Sequence, residues 1–574
     1  MSLTKVSYSM IQGASVNLLD YGAVGNGTTN DYTAITAALT AAVGGALYIP
    51  AGYTFASATR IQVPSNVRIY GGGTLKALPF GTSASIEGFL YGASLSDIAI
   101  DNIVIDCNPS AQTHPLLTAV YFTGSTRIKI TNSRVTCSYA GVYVRSSSSY
   151  VEVSDNYIDN SYGSSTDAAL RHGPSIIVGA SNSSVSSNTV KGIASTAVAD
   201  SDIATGIVLG ADGTTVYTNV VVSDNIVDSS YSAYGLTYIT NAAITGNTAI
   251  NCLTKNHSQG LIATNCNAIT VDGNTFRDID YTGIAFVDCQ DSSISNNVIS
   301  NSSTFLIGAQ SNGGLTANGI TVSQTGSGLS KDNIISANHI GVNGVTSGIA
   351  YKALLVYGDR NSVIGNLVKA TTAGITSYGL QFTGAKCIIS DNVFDATYTI
   401  FDVFDVGGWT TCQNNIFENN LLTSTGTYAI IDASTGPNRY FLNSIISGTT
   451  NYTNSHYIFN GDLEKVIVNK AADYTIQVQD STKLFTNGGA TGTVVLTLPS
   501  AVGSAGYTPY GLTFDFSKTN ANTLRIEPNG TNTIGGGGAG KYMEIGTSSS
   551  VKLTCVSSGI WIIESLNGTV TYEP

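Results

Sequence analysis

An asparagine set in a hydrophobic frame recurs through more than half of the chain and limits its fold more than any other feature. The segments VEVSDNYIDNS (151–161), VVVSDNIVDSS (220–230), AITVDGNTFRDI (268–279), SSISNNVISNS (292–302) and CIISDNVFDAT (387–397) share one template. An apolar residue stands three places before the asparagine, and apolar residues resume just after it. The frame marks Asn102, Asn132, Asn156, Asn188, Asn225, Asn247, Asn274, Asn297, Asn338, Asn366, Asn392 and Asn415, at intervals of 22 to 41 residues. A repeat of this length with irregular insertions specifies a solenoid whose loops vary on one side.

Upstream of most of these asparagines lies a second short segment led by glycine: GVYVR (141–145), GIVLG (206–210), GLTYI (235–239), GLIAT (260–264), GIAFV (283–287) and GLQFT (379–383). Such segments alternate apolar and polar positions and are too short for helices, so they read as strands with one buried face. Helical and leucine-rich repeats need helix formers, whereas this chain is rich in Ser, Thr, Asn, Val, Ile and Gly. The pattern predicts an all-β chain built as a right-handed parallel β-helix with two or three strands per coil. A stacked asparagine at a tight turn tolerates left-handed backbone and bonds its neighbours. The asparagines are therefore expected to be scaffold, and the chemistry to lie in the insertions.

Composition fits a folded β protein. There are 62 glycines against 11 prolines, with 42% hydrophobic and 11% charged residues. A net charge of −12 gives no general attraction to nucleic acid or to anionic membranes. No apolar run is long enough to span a bilayer, and the opening MSLTKVSYSMIQGASV lacks the apolar core of a secretion signal. The eight cysteines have no close metal-type spacing and are expected to be free, buried thiols. No cofactor or catalytic metal is expected. GGGGAGKY (535–542) mimics a phosphate-binding loop, but Tyr542 replaces the required hydroxyl and no strand–helix context surrounds it.

Four regions are expected. Residues 1–18 form a short lead. Residues 19–98 form a cap and the first coils, with a short amphipathic helix ending at Ala42, capped by Asn30 or Asp31 and buried through Ile35, Ala38 and Leu39. The solenoid follows over 99–464. In 465–574 the asparagine frame vanishes, and TVVLTLPSA, LTFDFSK, TLRIEPNG, VKLTCVSS and IWIIESL read as separate antiparallel strands of a β-sandwich, with Trp561 in its core.

Asp20-Tyr-Gly-Ala, then Gly-Asn-Gly-Thr-Thr-Asn-Asp, the Ala-rich helix and Gly-Gly-Ala-Leu-Tyr-Ile-Pro-Ala-Gly together resemble the opening motif of the pectate-lyase superfamily, which occurs in many bacteriophage tailspikes. The coils and the C-terminal TLPSA…IEPNG…GIWIIES pattern resemble the same group. The resemblance implies a homotrimer on the virion tail that binds and cuts bacterial surface polysaccharide such as capsule. It also implies attachment to a tail adaptor protein through the lead, and synthesis in the host cytoplasm.

Glycan hydrolysis needs a carboxylic acid to protonate the leaving oxygen and a second carboxylate as nucleophile or base, ~5–5.5 Å apart for retention and ~6.5–9.5 Å for inversion. Stacked coils supply such distances, since equivalent positions on adjacent coils lie ~5 Å apart. Acids cluster in consecutive insertions: Asp159 and Asp167, Asp200 and Asp202, Asp228, then Asp278 and Asp280. Asp228 with Asp278 or Asp280 is the first expected pair, with Asp202 as substitute and His257 as a further catalytic candidate. Arg171, His172, Tyr231, Tyr234, Tyr238, Lys255, Tyr281 and Asp288 are the expected substrate contacts, because sugar rings favour aromatic platforms and polar tips. Tyr238, Asn265 and Asp288 each precede a marker asparagine by nine residues and should form one ladder, which places the groove on residues 156–297. Trp409, near Asp402 and Asp405, is a sugar platform or a structural plug. Two alternatives stay open: a polysaccharide lyase using Lys255, His257, Arg277 or Tyr281 to remove a proton beside a uronate carboxylate, and an adhesin that binds glycan without cutting it.

Overall fold

The computed structural model describes residues 15–574 except 82–84, 113, 115, 138, 160–173, 193–204, 211–213, 229–231, 253–257, 303–306, 308–315, 326–329, 344, 346–349, 371–376, 397–398, 404–411, 433–437, 442, 453–456, 460–466 and 503–509. The chain divides into two units, Met1–Gln381 with Asp395–Tyr398, and Phe382–Phe394 with Thr399–Pro574.

The first unit is a right-handed parallel β-helix with three strands per coil. One coil runs through Ser232–Thr237, Ile239–Thr245 and Thr248–Cys252, and the next through Gln259–Thr264, Asn267–Asp272 and Thr275–Ile279. Each strand pairs in parallel with its equivalent in the next coil, so Tyr234 faces Leu261, Ala242 faces Ile269 and Thr248 faces Thr275. Alternation sends one apolar residue of each third strand inward, giving a continuous interior column Ile158, Val190, Val227, Ala249, Phe276 and Ile299. The first five are fully buried and Ile299 is nearly so. Burying each large apolar side chain contributes about 1.5–3 kcal/mol.

The turn between the second and third strands explains the asparagine frame and corrects part of it. Asn156, Asn188, Asn225, Asn247, Asn274, Asn297, Asn338 and Asn366 form an unbroken buried ladder, each side-chain oxygen after the first accepting from the backbone N–H of the asparagine one coil earlier. The left-handed residue is the one before the asparagine, as at Asp155, Ser187, Asp224 and Asn296. Asn102 and Asn132 occupy that preceding position, with φ of 49° and 50°, and do not belong to the ladder. Ile103 and Ser133 stand in the ladder's place, and Ser133 N–H donates to Asn156.

At Gly260 and Gly283 the leading glycine is required by close approach, whereas Gly235 lies two residues further on, with Ala233 in the crowded position and nothing nearer than 3.6 Å to its own Cβ site. A Cβ on Gly260 would lie 2.5 Å from Gly283 O, and one on Gly283 would lie 2.7 Å from Gly319 O. At the start of the unit, Tyr32–Ala41 is the expected helix, with Ile35, Ala38 and Leu39 buried. Asp31 does not cap it through its side chain. Its carboxylate instead accepts from Val24 N (2.7 Å) and Gly25 N (3.2 Å), while Asn30 Oδ1 accepts from Tyr32 N.

The second unit begins with further coils, where Ile388–Ser390, Ile416–Glu418, Arg439–Phe441 and Tyr457–Phe459 stack in parallel. Asn392 bonds to Asn420, and Asn420 to Asn443. Asn420, not Asn415, therefore continues this ladder. Asn415 belongs to a separate one five residues earlier in the coil, and bonds to Asn438.

Beyond the coils, a six-stranded and a five-stranded sheet enclose a core of Phe485, Leu496, Phe514, Phe516, Ile526, Leu553 and Trp561. This is the expected sandwich, but its strands are not all antiparallel. Ile467–Asn469, Leu484–Thr486 and Thr513–Ser517 pair in parallel, as do Tyr474–Thr475, Val494–Thr497 and Leu524–Glu527. Antiparallel pairing enters only with the later strands, such as Ser550–Ser557 against Ile560–Asn567. Lys541 of the glycine-rich segment donates to Pro574 O at 2.7 Å, a structural contact.

Candidate functional site

The third strand of each coil carries the candidate residues, because the variable insertions follow it directly. Its central residue points inward, so its last residue points out. In strict register, the outward column is Asp106, Thr136, Asp159, Lys191, Asp228, Ile250, Arg277 and Ser300. Asp159, Lys191 and Asp228 therefore occupy three consecutive rungs. With rungs ~4.8 Å apart, the two aspartates stand about 9.6 Å apart along the column. Lys191 is exposed, Asp228 is half-buried and Asp159 is 8% exposed. Asn251 Nδ2 donates to Asp228 Oδ1 at 2.9 Å, fixing that carboxylate from the next coil.

Asp278 and Asp280 do not join this column. Arg277, not Asp278, is in register with Asp228. Asp278 lies one residue further on, at φ 58°, in line with Asn251 at φ 56°. Its Oδ1 accepts from Ser302 N at 2.6 Å and its Oδ2 lies 3.7 Å from Arg277 Nε, so the carboxylate ties down the following coil. Asp280 lies beyond the strand end and is 2% exposed, with its N–H bonded to Cys252 O. The expected pairing of Asp228 with either residue is thus not made by register.

The aromatic candidates separate as well. Tyr234 is a core residue, in line with Ile207 and Leu261 and 1% exposed. Its Oη lies 2.9 Å from both Asn225 O and Thr248 O, and burial pushes its hydroxyl well above the usual range. It cannot serve as a sugar platform. Tyr238, Asn265 and Asp288 form one column of left-handed turn residues at φ 55°, 53° and 54°. Tyr238 is half-buried. Asp288 accepts from Thr325 N at 3.0 Å and also from Thr325 Oγ1, so its carboxylate holds a turn. Tyr281 is half-buried, and burial raises its hydroxyl pKa. Asp202, His257, Lys255, Arg171, His172, Tyr231 and Trp409 lie outside the described residues.

Sequence reasoning noted Asp159 but missed its alignment with Asp228, and missed Lys191. The signal was present. Asp159, Lys191, Asp228, Ile250 and Arg277 each follow their ladder asparagine by three residues. Asp278 follows by four, and one residue of offset moves a strand side chain to the other face.

A broad open hollow of about 920 Å³ lies elsewhere, over the second strands of the early coils, lined by Arg68, Arg127, Lys129, Asp97 and Glu152 among others. Its cations are already paired: Arg68 with Asp101, Arg127 with Asp97 and Lys129 with Glu152. Exposed pairs of this kind decorate the surface and contribute little, and the third strands remain the candidate site. Among the described residues no cluster of His, Cys, Asp and Glu could hold a metal ion, and no helix is long and apolar enough to cross a membrane. All eight cysteines are buried thiols outside any disulfide.

Residues 240–394 match the family described as the right handed beta helix region, in keeping with the fold implied by the opening motif. No curated protein matches the sequence. Similar solved structures include the tailspike protein of E. coli bacteriophage HK620 in complex with pentasaccharide, at 14% identity over 100% of this chain and 95% of that one, with a TM-score of 0.48. They also include a hyperthermoactive exopolygalacturonase from Thermotoga maritima, at 14% identity over 65% and 91% with a TM-score of 0.37. PfbA, a surface adhesin of Streptococcus pneumoniae, is 17% identical over 72% and 91%, with a TM-score of 0.40.

Proposed function

We propose that this chain binds and depolymerises a bacterial surface polysaccharide, such as capsule, by endo-glycosidic hydrolysis, with Asp228 as a catalytic carboxylate. The observation that supports this most is the position of Asp228. It ends a third strand on the outer wall, is held by Asn251 Nδ2 at 2.9 Å, and stands in a column of outward polar groups along which an extended glycan can lie. Together with the tailspike-like opening motif, this favours a spike on a phage tail. The same reading makes the protein a homotrimer attached to a tail adaptor through residues 1–18. It assigns 19–98 to the cap and first coils, 99–464 to the groove-bearing solenoid, and 465–574 to trimer formation or glycan binding.

We favour hydrolysis over β-elimination because the outward column presents carboxylates, Asp159 and Asp228, the groups a hydrolase uses. Among the candidate lyase bases, burial moves the Tyr281 hydroxyl further from neutral pH.

The test uses purified full-length protein and surface polysaccharides from a capsule-typed strain panel. One polysaccharide should lose viscosity and gain reducing ends without the ultraviolet absorbance of a new double bond. Asp228→Asn should remove that activity while the protein stays folded. Unchanged turnover in Asp228→Asn would place the site elsewhere, a new double bond would establish a lyase, and binding without cleavage of any polysaccharide would leave an adhesin.

A further inference from the structure

We infer that Asp159 is the second catalytic carboxylate, acting with Asp228 across the Lys191 rung in an inverting hydrolysis. This rests on the reading of Asp228 given above and supplies its missing partner.

The geometry carries the assignment. Ile158, Val190 and Val227 are each fully buried, so the residues that follow them in the strands, Asp159, Lys191 and Asp228, share the outer side. Asp159 faces Lys191 and Lys191 faces Asp228 in unbroken parallel register. Two rungs give a separation of about 9.6 Å. That is near the upper end of the ~6.5–9.5 Å at which a water fits between one carboxyl and the sugar, and well beyond the ~5–5.5 Å at which a carboxylate attacks the sugar directly. Side chains that lean toward each other shorten the gap between carboxyl groups further.

The intervening lysine departs from the surface pattern elsewhere. Where opposite charges meet on neighbouring rungs, as with Arg127 and Asp97, Lys129 and Glu152, or Arg360 and Asp332, they form ion pairs of 2.5 to 2.9 Å. Lys191 has an aspartate on each neighbouring rung, yet makes no ion pair among the described residues. A glycan oxygen or carboxylate lying over the column would meet the exposed Lys191 ammonium.

The step balances without any added reagent. One carboxyl group gives its proton to the glycosidic oxygen as the C–O bond breaks. The other, as carboxylate, takes a proton from a water whose oxygen bonds to the anomeric carbon from the opposite face. The two carboxyl groups exchange protonation states and are reset by solvent.

The experiment uses the full chain and the polysaccharide that it cleaves, comparing Asp159→Asn, Asp228→Asn and Asp280→Asn with the unaltered protein. Asp159→Asn should lower kcat at least ~100-fold, the range of a lost general acid or base, with an unchanged circular dichroism spectrum. Asp280→Asn should retain far more activity. NMR of the first product released by the unaltered protein should show inverted anomeric configuration, a readout that requires no variant to fold. Near-normal turnover in Asp159→Asn alongside a dead Asp228→Asn overturns this inference and leaves Asp228 in place. Retention of configuration also overturns it. Near-normal turnover in Asp228→Asn overturns the site reading itself.

Discussion

Asn188 and Asn225, 37 residues apart in sequence, are joined by two hydrogen bonds: Asn225 Oδ1 accepts from the backbone N–H and from Nδ2 of Asn188, both at 2.9 Å. Asn225 Nδ2 in turn donates to Val185 O at 2.8 Å and to Asn247 Oδ1 at 2.9 Å. One fully buried amide thus serves three coils. Asn225→Asp keeps the size but removes both donors, and it sets a carboxylate against Val185 O and Asn247 Oδ1 in a fully buried site. Unsatisfied buried groups cost about 1–3 kcal/mol each, more when charged. We expect a loss of about 3 kcal/mol or more, read as a lower urea midpoint. A midpoint within experimental error of the original would mean that the ladder decorates the turn without supporting it.

The leading glycine of the first strand gives a second prediction. A Cβ at Gly283 would sit 2.7 Å from both Gly319 O and Ile299 Cγ2, and backbone cannot yield as a side chain does. Gly283→Val should destabilise by about 3 kcal/mol or more, the upper end for overpacked sites, because the clash is with backbone. Gly273 is the control, since nothing lies within 4 Å of its Cβ position and only its φ of 65° opposes a side chain. Gly273→Ala should cost about 1–2 kcal/mol, the left-handed penalty alone. Equal effects of Gly273→Ala and Gly283→Val would sink the close-approach explanation.

These two positions show how much of the fold is legible in the residues. The solenoid is readable because a buried amide and a crowded glycine recur in most coils, at a spacing that varies. Register is less legible. Asn102 and Asn415 satisfy the same frame as Asn225 yet sit in other rows, because several turn positions in each coil accept asparagine for different reasons. The site suffers most from this. Asp278 and Asp228 look equivalent when counted loosely from their asparagines, but the single residue between their offsets decides which faces the wall. In the C-terminal region, short alternating strands carry no mark of direction, so parallel pairing could not be read from 467–527.

Thiol titration supplies a pH prediction. Burial pushes the Cys555 thiol up to about 11, whereas an unfolded cysteine ionises near about 8.5. The unfolded chain therefore releases this proton at a pH where the folded chain still holds it. The contribution to stability is complete below pH ~8.5 and is lost as pH rises toward about 11. Urea midpoints should fall less steeply over this window in Cys555→Val than in the original protein. At pH 8, Cys555 should resist alkylation until the chain unfolds. Parallel pH profiles for the two proteins would contradict the shift.

Tyr234 and Tyr238 lie four residues apart and should respond in opposite ways. Tyr234 shares its single hydroxyl proton between two buried carbonyls at 2.9 Å. Tyr234→Phe should therefore cost about 1 kcal/mol of stability and leave glycan affinity unaltered. Tyr238 sits half-buried on the turn between the first and second strands at φ 55°, a conformation asparagine also accepts without strain. Tyr238→Asn removes the ring while keeping the turn, so stability should hold, and affinity for the polysaccharide should fall about tenfold, equivalent to ~1.4 kcal/mol. Calorimetric titration with an oligosaccharide of the cleaved polymer, beside thermal melts, separates the two. A loss of affinity in Tyr234→Phe would contradict its core assignment, since the ring is sealed within the coils. Full affinity in Tyr238→Asn would confine the glycan to the third-strand wall, where Asp228 stands, and exclude the turn column from the contact.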